Sequence, residues 1–199
     1  MRVSISRGNS KMGSVPSVSL PAHVTCNGLP CWDKCYAKKL ERLRPNVRNA
    51  YQRNLDILNE KPMQYWMEVE AAIMGSRFFR FHVSGDIPDG QYLCQMAAIA
   101  ERNPHCQILC FTKKYELVNV GLDNGFVIPE NLHLVFSGWR GLEMHNRYNL
   151  PEAHVRYRDG TTTAREDAVA CQGNCFDCAI TDSGCWTLKP GEQVVFDEH

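Results

Sequence analysis

Three stretches rich in β-formers recur along the chain with helical patterns between them: Arg77–Val83, Gln107–Thr112 and Leu132–Ser137. Their starts are separated by about 25 to 30 residues. Strand, helix, strand, helix, strand at that interval is the signature of right-handed βαβ units on a parallel sheet. The sequence therefore predicts an α/β fold, with the parallel units arranged as a partial barrel or an open sheet.

The intervening segments agree. Val47, Ala50, Tyr51, Leu55 and Leu58 keep helical spacing after Pro45, and a second helix is expected over Met63–Gly75 with Trp66, Val69 and Ile73 on one face. Asp89 is placed to cap a helix whose Leu93, Met96, Ala97 and Ala100 share a face, and Asn103-Pro104 stops it. A short helix is expected from Tyr115 to Val120, and a first strand over Val3–Ser6. From Gly138 onward helical periodicity fades, leaving short strands at His154–Tyr157 and Gln193–Phe196. One domain over 1–199 is expected: an α/β core over 1–138, with a cysteine loop at 26–35, and an irregular metal-binding extension over 139–199.

The 199 residues are 44% hydrophobic and 22% charged, as in ordinary globular proteins. Twenty-two basic residues balance 22 acidic ones, so no global field draws the chain to nucleic acid or membrane. The opening MRVSISRGNS has no apolar h-region, and no run of about 18 apolar residues occurs. A cytoplasmic protein without membrane contact is expected. In that compartment ten cysteines do not persist as disulfides, so clustered ones point to metal. Cys94, Cys106 and Cys110 lie in apolar patterns and read as small packed hydrophobes.

Seven cysteines cluster. Cys171, Cys175, Cys178 and Cys185 fall within fifteen residues, among Gly173, Asn174 and Gly184. Four thiolates on such a loop satisfy a tetrahedral zinc or all four irons of a [4Fe–4S] cubane. The irregular spacing leans toward iron–sulfur, with zinc as the alternative. Cys26, Cys31 and Cys35 form the second group. Three thiolates leave one iron of a cubane open to a small molecule, whereas His23 as a fourth ligand would close a zinc site.

Parallel sheets bind ligands at the carboxyl ends of their strands. There the sequence places Ser84-Gly85-Asp86, Thr112-Lys113 and Ser137 as candidate cofactor-binding residues. Asp86 can pair with a ligand ammonium or simply cap a turn. His82, inside a strand, reads as a half-buried, hydrogen-bonded histidine.

Two resemblances add to this. The cysteine loop ending in Cys35-Tyr36-Ala37, the run Arg80–Asp86, Phe111-Thr112-Lys113 and a quartet closing in Cys185-Trp186 resemble the phage and plasmid gene product 88 family. That resemblance implies a phage- or plasmid-encoded protein in a bacterial host. More distantly, a cysteine-trio loop after a first strand, with strands ending in Ser-Gly-acid-x-Pro, Thr-Lys and Ser, looks like the opening half of a radical S-adenosylmethionine enzyme. The trio spacing, C-x4-C-x3-C, is one residue longer at each step than that superfamily's usual form. The superfamily implies a [4Fe–4S] cluster on Cys26, Cys31 and Cys35 whose open iron chelates S-adenosylmethionine. It also implies Ser84, Gly85 and Asp86 beside the methionine moiety, and an auxiliary cluster on the quartet.

The leading expectation is thus a small radical-type iron–sulfur enzyme, served by a reductant protein and acting on a substrate the sequence does not name. The alternative is a non-catalytic zinc or iron–sulfur protein that binds a partner or nucleic acid. Its basis is the basic stretch 34–53: Lys34, Lys38, Lys39, Arg42, Arg44, Arg48 and Arg53. A redox or transferase enzyme using the clusters differently is the third.

Overall fold

A computed structural model describes every residue except Asn27 and His199. Among the described residues eight strands form one sheet: β1 (Ile5–Ser6), β2 (Ser17–Val18), β3 (Phe78–Phe81), β4 (Gln107–Thr112), β5 (Leu132–Ser137), β6 (Glu152–Arg156), β7 (Val169–Ala170) and β8 (Gln193–Asp197). Their spatial order is β1-β2-β3-β4-β5-β6-β8-β7, with β1 and β7 as the two edges. Only the β1–β2 pairing is antiparallel; every other neighbour runs parallel. The expected α/β fold on a mostly parallel sheet is present.

The helices are α1 (Ala22–Thr25), α2 (Tyr36–Leu43), α3 (Pro45–Glu60), α4 (Pro62–Met74), α5 (Gly90–Arg102), α6 (Tyr115–Asp123) and α7 (Cys175–Ile180). Proline at the first position starts α3 and α4, where a missing N–H leaves no bond unmade. Asp89 caps α5 as expected, its carboxylate accepting from Tyr92 N at 2.8 Å. No helix of the described residues is long and apolar enough to cross a membrane.

Alternation along the strands separates two apolar faces. Phe79, Phe81, Ile108, Cys110, Leu134 and Phe136 pack beneath α3, α4, α5 and α6. Phe78, Leu109, Val135, Ala153 and Val194 face the other way, where Met12, Val15, Cys178, Ala179 and Trp186 cover them. Strands buried on both faces read as near-continuous apolar runs, as β4 and β5 do.

The C-terminal third, expected as an irregular extension, contributes β6, β7 and β8 to the same sheet. Its cysteine segment packs on the sheet face opposite the helices. Trp186 anchors it: the indole N–H donates to Cys175 O at 2.9 Å, and the ring lies 5.4 Å from that of Phe78. Of the three isolated cysteines, Cys106 and Cys110 are buried as expected, whereas Cys94 is exposed on α5.

Candidate metal and cofactor site

The trio falls on three successive short helical segments. Cys26 closes α1, Cys31 lies in a 3-10 turn over Pro30–Lys34, and Cys35 opens α2. Short helices bounded by cysteines bend the chain back on itself, which brings thiols nine residues apart to one side. Tyr36, next in sequence, donates its hydroxyl to Val83 O and so ties α2 to the end of β3.

Beyond β3 the Ser84-Gly85-Asp86 turn is bound from several sides. The Ser84 hydroxyl donates to Glu41 Oε1 at 2.7 Å, and Val83 N and Ser84 N donate to Ser19 Oγ. Gly85 has φ +82°, and an added Cβ would lie 2.6 Å from Leu20 O and 2.8 Å from Thr25 Oγ1. Only glycine fits that backbone and that space. Asp86 N donates to Thr25 Oγ1 at 3.0 Å. The Asp86 carboxylate accepts from Thr112 Oγ1 at 2.6 Å, Ile87 N at 2.7 Å and Lys113 N at 2.8 Å. Lys113 Nζ in turn donates to Ser137 Oγ at 2.6 Å. Asp86, Thr112, Lys113 and Ser137 therefore form one hydrogen-bonded chain from the end of β3 across β4 to β5, and Ser84 is tied separately to Glu41 and Ser19.

Glu41 escaped the sequence reading and is the hub of this arrangement. It is buried on α2, and its Oε1 also accepts from Ala22 N at 3.0 Å. His23, considered as a trio ligand, instead holds Nδ1 3.4 Å from Glu41 Oε2. The signal for Glu41 was its spacing, since it follows Leu40 and falls four residues after Ala37 on the same helical stripe.

His82 departs from expectation. It is 3% exposed, neither ring nitrogen has a hydrogen-bond partner among the described residues, and its φ of +60° ends the strand at Phe81. That φ turns the ring onto Tyr92, 5.4 Å away, and burial pushes the imidazole down to about 3, so it is neutral.

The trio, the quartet and all six strand-end candidates line one cavity of about 580 Å³. Trp32, Phe111, Trp139 and Phe196 add aromatic wall, and Arg80, also in the lining, holds Nη1 3.8 Å from Cys175 Sγ. Burial, and then the charge of Asp86, push the Cys26 thiol up to about 12; the Thr25 hydroxyl opposes them. Burial raises Cys31 as well, against the pull of the Lys113 ammonium. Cys185 is pushed up to about 12 by burial and by the charges of Cys171 and Cys175. These thiols stay protonated unless a metal displaces their protons. As they stand, no three Cys, His, Asp or Glu side chains among the described residues are arranged to hold a metal ion. The ten cysteines are free thiols.

The family described as gene product 88 matches the chain over residues 3–189. The chain belongs to the gene product 88 family. The match takes in the trio, the strand-end turn and the quartet, while Val194, Phe196, Asp197 and Glu198 of the cavity lining lie beyond it. No curated protein and no solved structure matches the chain.

Proposed function

We propose that this gene product 88 protein is an iron–sulfur protein of radical S-adenosylmethionine type, with a three-cysteine [4Fe–4S] site and a four-cysteine auxiliary site. The observation that carries the reading is that Cys26, Cys31 and Cys35, the quartet and the strand-end residues, scattered over 160 residues, line one cavity. A three-thiolate cluster, when bound, supplies one-electron cleavage of a sulfonium at its open iron. The chain's own residues do the rest. Gly85 seats the strand-end turn tightly against Leu20 and Thr25, and Asp86 and Lys113 fix the strand ends. The aromatic walls exclude water. The C-terminal strands and the partial-barrel likeness belong to the same reading.

The test is composition. Anaerobically reconstituted protein should contain close to eight irons and eight sulfides. Replacing Cys26, Cys31 and Cys35 with alanine should remove about half of each. Colourless protein holding zinc alone would overturn the reading.

One observation favours the second reading, a non-catalytic metal protein that binds nucleic acid. Lys39, Arg42, Arg44 and Arg48 are exposed on α2, α3 and their junction, and none forms an ion pair among the described residues. Salt-dependent retention on DNA that is lost when these four become glutamine would support it.

A further inference from the structure

Arg80 is the one guanidinium on the inner face of β3, and its surroundings are chemically odd. Its Nη1 lies 3.2 Å from Met12 Sδ and 3.8 Å from Cys175 Sγ. The guanidinium carbon sits 4.7 Å from the centre of the Phe111 ring. Nε is buried without a partner, and no carboxylate pairs with Arg80 among the described residues. A partly buried guanidinium facing sulfur and aromatic carbon keeps its desolvation penalty until an anion arrives. Four thiolates around zinc or around a cubane carry net negative charge whichever metal they hold. They also adjoin this side chain, since Cys175 is the first residue of α7 and Cys185 senses the Arg80 charge.

We propose that Arg80 is the counter-cation of the four-cysteine metal centre, a positioning residue that completes the site from the sheet. The inference rests on the reading of the quartet as a metal site and adds to it the group that neutralises its charge. Removing such an outer partner typically weakens metal binding by roughly 10- to 100-fold.

The experiment compares wild type, Arg80→Met and Arg80→Lys. Metal retained at the quartet is titrated against a competing chelator in a background lacking the trio thiols, and melting of the metal-free proteins is followed in parallel. Arg80→Met should bind metal about 10- to 100-fold more weakly, while Arg80→Lys, which keeps the charge, stays within about threefold of wild type. Metal-free Arg80→Met should melt close to wild type, because the charge it loses has no anion in that state. Equal affinity in Arg80→Met and wild type would overturn the inference. So would an Arg80→Lys as weak as Arg80→Met, or a metal-free Arg80→Met that fails to fold. Wild type that takes up no metal at the quartet would sink the metal-site reading itself, and this inference with it.

Discussion

Replacing Glu41 tests how the cysteine loop is held to the sheet. Its Oε1 is the shared acceptor for Ser84 Oγ at 2.7 Å and Ala22 N at 3.0 Å, and both donors are buried. Glu41→Ala strands both, at about 1–3 kcal/mol each. Relief from burying a carboxylate returns part of that, which leaves a net loss of about 2–4 kcal/mol. For a chain of this size that lowers the melting temperature by roughly 5–15 °C. Glu41→Gln keeps one acceptor oxygen and should lose about 1 kcal/mol. Chemical denaturation of the metal-free variants measures the change, and metal analysis after reconstitution shows where it acts. Because Glu41 touches α1 and the Ser84 turn but not the quartet, iron should fall at the trio alone. A Glu41→Ala protein with the wild-type unfolding midpoint would refute this account of the loop.

Gly85→Ala should be more severe than an average surface change. Its φ of +82° and a 2.6 Å approach to Leu20 O together imply a loss of about 2–4 kcal/mol by denaturation; a neutral result would contradict the geometry. Asp86→Ala removes the acceptor of three hydrogen bonds and should lose at least about 3 kcal/mol as well as weaken S-adenosylmethionine binding. A variant that melts like wild type yet loses the cofactor would make Asp86 a ligand contact alone. Burial pushes the Glu152 carboxyl up, but hydrogen bonds from Asn146, His154 and Gln193 together hold it below the ordinary range. Its stabilising contribution is therefore full above the unfolded carboxyl's titration and lost as pH falls through the folded one. Glu152→Gln should flatten the acid limb of a stability–pH curve, and an unchanged limb would count against it.

Much of the fold was legible because burial on both faces writes itself into strands as apolar runs. Gln107–Thr112 and Leu132–Ser137 form strands over the residues expected, and helices α3 to α6 appear where the periodicity lies. The first strand shortens to Ile5–Ser6, and β6 starts at Glu152 rather than His154. What was missed is held by tertiary contact. Strand β2 is two residues, Ser17–Val18, set in a Gly-, Ser- and Pro-rich loop and defined only by pairing with β3. Helix α2 lay hidden behind the cysteines and the basic run, although Ala37, Leu40 and Glu41 share its inner stripe. The candidate site residues were individually visible, through thiol clustering and position at strand ends. Arg80 was not, since an arginine alternating with Phe79 and Phe81 looks solvent-facing until α7 covers that side. His82 was misread because a positive φ cannot be inferred from a strand of β-formers.

The central claim is that the trio leaves a coordination position for S-adenosylmethionine inside the shared cavity. The most direct measurement is the electron paramagnetic resonance spectrum of the reduced, reconstituted protein before and after adding that molecule. The account predicts a changed cluster signal in wild type and in a variant lacking the quartet thiols, but none once Cys26, Cys31 and Cys35 are alanine. An iron-loaded wild type whose signal is the same with and without the cofactor would contradict it.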